Sequence, residues 1–141
     1  MGIDQRVRLV DIGLQLVLEG ILATGDLLQA RLPFMGDGYL EEWAATLERL
    51  KTLDFTAVIP GHGAWFTDRM VIDHLAGFLR DFQTQAVAAH RDGLTIGAAA
   101  RRMDFRAHLA HYPQLSDTAD TYDRLEGGLR RVYDQLEEKA C

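Results

Sequence analysis

ILATGDLL (residues 21–28) and VIPGHG (residues 58–63) decide how this chain reads. Each is an apolar run broken by glycine or proline, and each runs straight into a side chain that binds cations: Asp26 in the first, His62 in the second. Gly25 lets the backbone turn sharply at the exit of the first run. Pro60, Gly61 and Gly63 present the imidazole of the second from a rigid turn. A carboxylate in a loop clear of the ladder suits hard and borderline cations, and neutral imidazole is the commonest metal ligand. Taken singly, Asp26 also reads as a turn or cap aspartate, and His62 as an incidental loop histidine.

Outward from these runs the chain alternates strand and helix signals. VRLVDIG (7–13) and LQLVLEG (14–20) read as strands punctuated by Gly13 and Gly20, forming a short antiparallel meander with residues 21–26. LLQARLPFMGDG (27–38) is an irregular loop that carries Leu32, Phe34 and Met35, and so needs a surface to pack against. YLEEWAATLERLKTLD (39–54) is an amphipathic helix with Leu40, Trp43, Leu47 and Leu50 at helical spacing. A long helix enters at Thr67 or Asp68 and runs to a glycine cap at Gly93. A short helix capped by Thr95 follows, then RAHLAHYPQLSD (106–117) as a polar loop. A last helix over 120–140 presents Tyr122, Leu125, Leu129, Val132, Tyr133 and Leu136 on one face. Gly127 and Gly128 inside it are expected to weaken it by roughly 1 kcal/mol each relative to alanine.

Composition sets the outer bounds. The 141 residues are 48% hydrophobic and 26% charged, ordinary for one globular domain. A net charge of −6 argues against nucleic-acid binding, and the Arg101-Arg102 and Arg130-Arg131 pairs read as solvated helix faces. Cys141 is the only cysteine, which excludes a disulfide framework and a cysteine-based zinc module. No apolar stretch reaches the ~18 residues of a membrane span, and the N-terminus has no signal-peptide core. The default expectation is a cytoplasmic protein with no membrane partner.

Together, strand-TGD, loop, helix and strand-PGHG resemble the C-terminal half of the metallo-β-lactamase superfamily. The resemblance runs from about residue 17 to residue 93 and includes the helix segment TLERL. It implies that Asp26 and His62 are metal ligands and that zinc is the metal. It also implies half of an αββα sandwich: an α/β fold with a short, mostly antiparallel sheet, helices on one face and a C-terminal helical tail. The expected division is 1–93 for the half-sandwich and 94–141 for the tail packed on it. That family's H-x-H-x-D-H string does not occur in this chain, and no histidine lies between residues 1 and 26.

The ligand count then governs the functional expectation. A catalytic zinc takes about three protein ligands plus an open position, and Asp26 with His62 falls short. Zinc held by these two alone is loose and exchangeable, so the chain is expected to have no independent hydrolase activity. His74 and His90 are about 24 Å apart along a helix and cannot share a metal. His108 and His111 lack a carboxylate or third ligand at helical spacing and read as structural or solvent-exposed. Trp43, Trp65, Phe66, Phe78 and Phe82 read as core, while Tyr112 and Tyr122 are candidates to wall a site. A half-sandwich leaves an apolar sheet face, which suggests a homodimer packing face to face and rebuilding a metal site from two copies. The remaining alternative is a binding or structural module that kept the fold and lost the chemistry. MGIDQRVRL runs into a strand without a cap or linker, which suits a truncated chain.

Overall fold

The computed structural model describes residues 17–18, 20–116 and 118–140. The strand expected over 7–13 lies outside the described residues. Strand β1 (Val17–Leu18) and β2 (Ile21–Gly25) form a tight antiparallel pair around Gly20, which adopts φ +78°. Helix α1 (Leu40–Leu50) then crosses to β3 (Ala57–Pro60), which lies beside β2 and parallel to it, with Leu22 opposite Val58. The main pairing is therefore parallel, and the expectation of a mostly antiparallel sheet is corrected. Parallel neighbours need a crossover connection, here α1, whereas a tight turn such as that at Gly20 can join only antiparallel strands.

The two sheet faces differ. Leu22 and Val58 are buried, while their neighbours Ile21 and Ile59 point away from the core and are exposed. Val58 and Phe66 exchange backbone hydrogen bonds of 2.8 and 3.1 Å, which closes residues 59–65 into a loop. On that loop Trp65 is 68% exposed, against the core position expected for it. The buried face packs on α1 and on α2 (Met70–Arg91) through Leu47, Leu50, Ile72, Leu75 and Leu79.

Local chemistry fixes the helix ends. Leu94 N–H donates to Ala89 O and Gly93 N–H to His90 O, and Gly93 takes φ +70°, a Schellman stop for α2. The α1 C-terminus closes on the N–H groups of Lys51, Thr52 and Leu53, and the segment after it is held by the Arg69 guanidinium, which donates to the carbonyls of Lys51, Leu53 and Phe55 and lies over the Phe55 ring. Thr95 Oγ1 caps α3 (Ile96–Arg102) by accepting from Ala98 N–H.

Residues 106–116 are not the polar loop expected. They form two 3-10 turns, Arg106–His108 and Pro113–Ser116, laid along α2. Phe105 stacks on Phe82, and Tyr112 is 2% exposed beside Phe78. Every fourth residue of α2 here, His74, Phe78 and Phe82, faces this segment and meets the rings of His111, Tyr112 and Phe105. Helix α4 (Thr118–Ala140) brings Leu125, Leu129 and Val132 into the same core, and Tyr122 is left exposed. Gln135 Nε2 and Arg131 Nε donate to Gly38 O at 3.1 and 3.3 Å, fastening α4 to the 27–39 loop.

Candidate functional site

Parallel pairing of β2 and β3 puts both C-terminal ends on one edge of the sheet. Asp26 follows β2 directly and His62 lies two residues past β3, so the edge gathers the two side chains that the sequence singled out. His62 Nε2 lies 3.1 Å from Asp26 Oδ1, and both side chains are more than half exposed. An antiparallel β2–β3 pair would have sent them to opposite ends of the sheet.

The backbone around the pair is built for close approach. Gly61 N–H donates to Gly25 O at 2.8 Å, the last rung between the two strand ends. A Cβ on Gly61 would stand 2.5 Å from Asp26 Oδ1 and 2.7 Å from the Gly25 carbonyl carbon, so only glycine leaves room for the carboxylate. Gly25 and Gly63 take φ +53° and +87°, on either side of the pair. Beneath Asp26, the buried Thr24 hydroxyl donates to Leu28 O at 3.2 Å, and Gln29 Nε2 donates to Asp26 O at 3.4 Å. The turn that carries the carboxylate is thus held from inside the fold, while its oxygens stay in solvent.

These residues fit a metal in geometry and fall short in number. Two ligands on a tetrahedral zinc, with bonds of about 2.0–2.1 Å, stand about 3.3 Å apart. The observed 3.1 Å separation is close to that bite. Among the described residues, however, no group of three or more His, Cys, Asp or Glu side chains is placed to hold a metal ion. With two donors the pair meets half of a tetrahedral shell.

The other histidines lie away from this edge. His108 Nε2 is 3.0 Å from Asp81 Oδ2, His111 stacks on His74, and His90 sits edge-on to Tyr133 and 3.7 Å from Glu137. Sequence spacing could not supply these partners, because each comes from a different element. The Asp104 carboxyl is held down at about 2 by hydrogen bonds from Arg106, and burial pushes the Tyr112 phenol well above the usual tyrosine range. A cavity of about 250 Å³ lies between α3, the 3-10 turns and α4, lined by Met103, Phe105, Leu109, Leu115, Tyr122 and Leu125. Tyr122 walls this cavity and does not reach the Asp26–His62 edge; Tyr112 is core.

No family model matches the chain, and no curated protein matches it either. Among the described residues no helix is long and apolar enough to cross a membrane.

Proposed function

We propose that this chain is a metallo-β-lactamase-like half-fold that presents Asp26 and His62 as a two-donor metal chelate and has no independent hydrolase activity. The 3.1 Å approach of His62 Nε2 to Asp26 Oδ1 carries the reading, because it places two unlike metal-binding atoms at a zinc bite on a glycine-cleared edge. Two donors leave zinc with at least two solvent positions, so the ion exchanges freely and a hydroxide is not held in a fixed place. The remaining ligands of a working site have to come from whatever lies against this edge.

Zinc titration against a competing chromophoric chelator tests this directly. The expected result is one exchangeable zinc per chain, weakened about tenfold or more by Asp26→Ala or His62→Ala as a ligand is lost. Lactam, thioester and phosphodiester substrates should turn over no faster than in buffer with zinc. Zinc binding that survives both substitutions overturns the ligand assignment.

A second reading is favoured by the outer sheet face, where Ile59 is 50% exposed beside exposed Ile21 and Trp65. Here two copies pack these faces together and bring two Asp26–His62 pairs to one zinc. Light scattering with and without zinc separates the two, since this reading requires a dimer and a monomer at both settings removes it. A non-catalytic binding module that takes no metal is the outcome if zinc binding is absent altogether.

A further inference from the structure

Arg101 and Arg102 close α3, yet their surroundings differ. Arg102 pairs with Asp92 at 2.7 Å. Among the described residues Arg101 has no hydrogen bond or ion pair, and Glu126, whose Oε1 also lies beside Gly97, makes none with it. Arg101 lines the cavity of about 250 Å³ between α3, the 3-10 turns and α4. The other polar groups of that cavity are mostly engaged. Asp104 holds Arg106 through both carboxylate oxygens, the Ser116 hydroxyl donates to Pro113 O at 2.6 Å, and the Thr121 hydroxyl donates to Gln114 O. The Arg101 guanidinium and the Tyr122 phenol are left as donors with no acceptor among the described residues, and both are exposed, which puts them at the mouth. Below them the walls are apolar: Phe105 and Leu125 are buried, and Met103, Leu109 and Leu115 are half-buried. Two arginines and one aspartate leave the cavity one positive charge, in a chain of net charge −6.

We propose that this cavity is a binding site for a small amphiphilic monocarboxylate, its hydrocarbon chain against Phe105 and Leu125 and its carboxylate held by Arg101 and Tyr122. An apolar wall with a few polar groups at one end is the general form of a small-molecule site. Water inside such a cavity finds few partners, so a hydrocarbon chain displaces it favourably. The planar guanidinium fork matches a carboxylate and can donate to both of its oxygens, with the phenol as a further donor. One uncompensated positive charge suits a monoanion better than a phosphate dianion. Size sets the chain length: a cavity of about 150 Å³ takes benzene, so one of about 250 Å³ has room for about ten non-hydrogen atoms, those of an unbranched acid of about eight carbons. The site is separate from the Asp26–His62 edge and does not depend on metal there.

Calorimetric titration of the full chain with butanoate, hexanoate, octanoate and decanoate, all below micelle-forming concentrations, tests the assignment. Affinity is expected to rise about fourfold per methylene up to octanoate and to level off at decanoate, where the cavity is full. Octanol, which lacks the charge, should bind about tenfold more weakly than octanoate. Arg101→Gln should weaken octanoate about tenfold and Tyr122→Phe about threefold. Both side chains are exposed, so neither change removes a core contact. Arg130→Gln, an exposed arginine of α4 outside the cavity, should leave the affinity unchanged. In NMR spectra the methyl signals of Met103 and Leu115 should shift with octanoate and saturate at the same concentration. Absence of saturable octanoate binding overturns the proposal. So does an affinity that keeps climbing through decanoate, which is adsorption to the surface, or an equal response of Arg101→Gln and Arg130→Gln.

Discussion

Gly127 and Gly128 are adjacent in α4, and alanine at the two positions should shift stability in opposite directions. In an exposed helix interior, glycine to alanine is worth about 1 kcal/mol of stability, from reduced backbone entropy in the unfolded chain. At Gly127 that gain is available: an added Cβ would meet its nearest neighbour, Phe34, at 3.5 Å, an ordinary contact. At Gly128 the same Cβ would stand 2.8 Å from the Phe82 ring tip and 3.1 Å from Met35 Cβ. Neither neighbour yields easily, because Phe82 and Met35 are fully buried and the Phe82 ring is stacked on Phe105 with planes 5° apart. Overpacking of this kind costs about 1–3 kcal/mol, which offsets the helix gain and leaves a net loss of up to about 2 kcal/mol. The two variants should therefore differ by roughly 1–3 kcal/mol, Gly127→Ala above the wild type and Gly128→Ala below it. Urea unfolding followed by circular dichroism resolves that difference, provided the slopes agree. Equal stabilisation in both variants would mean that α4 does not seat against Phe82 and Met35, and the close packing of the tail would have to be abandoned.

Other substitutions address the site and the elements that support it. Gly61→Ala should cost about 1–3 kcal/mol in urea unfolding and weaken zinc about tenfold, because the methyl displaces the Asp26 carboxylate; wild-type values for both would contradict the cradle. Arg69→Met should destabilise the chain by about 1 kcal/mol, through the carbonyls of Lys51, Leu53 and Phe55 it leaves to water, and hydrogen exchange should rise first in the connection from α1 to β3. The phenol of Tyr112 should stay protonated past the range where exposed tyrosines ionise. Its folded-state affinity for the proton exceeds that of the unfolded chain, so stability should fall as pH rises above about 10. Ultraviolet titration should show that tyrosine ionising only with unfolding, and an ordinary titration of all four tyrosines would refute its burial.

Much of the local structure was legible because it rests on short-range chemistry. The helix periodicity of residues 40–50, the glycine stop at Gly93 and the threonine cap at Thr95 are set by residues within a few positions of one another. The Gly-Asp and Pro-Gly-His-Gly runs likewise marked the strand exits. Sheet direction was a different matter: an apolar run of four or five residues has the same composition whether its neighbour is parallel or antiparallel. The 106–117 stretch misled because Pro113 and its polar residues read as a loop, although Phe105 just before it, His108 and Tyr112 are buried or half-buried rings at i, i+3 and i+7. They find their partners on a helix that precedes them in the chain. Trp65 misled in the opposite sense, since a large aromatic side chain was assigned to the core although it projects from the loop beside the outer sheet face.

By itself, then, the sequence determined which side chains can bind a cation, where the chain turns, and that Asp26 and His62 each follow an apolar run closed by glycine or proline. Those are properties of residue type and neighbours. Whether the two meet was decided by tertiary structure alone: α1 returns the chain so that β3 lies parallel to β2, and Gly61 lets the strand ends close to a single hydrogen bond. The pairing of His74 with His111, and the need for glycine at Gly128, have the same origin. Each depends on contacts between segments far apart in the chain, which no local pattern records.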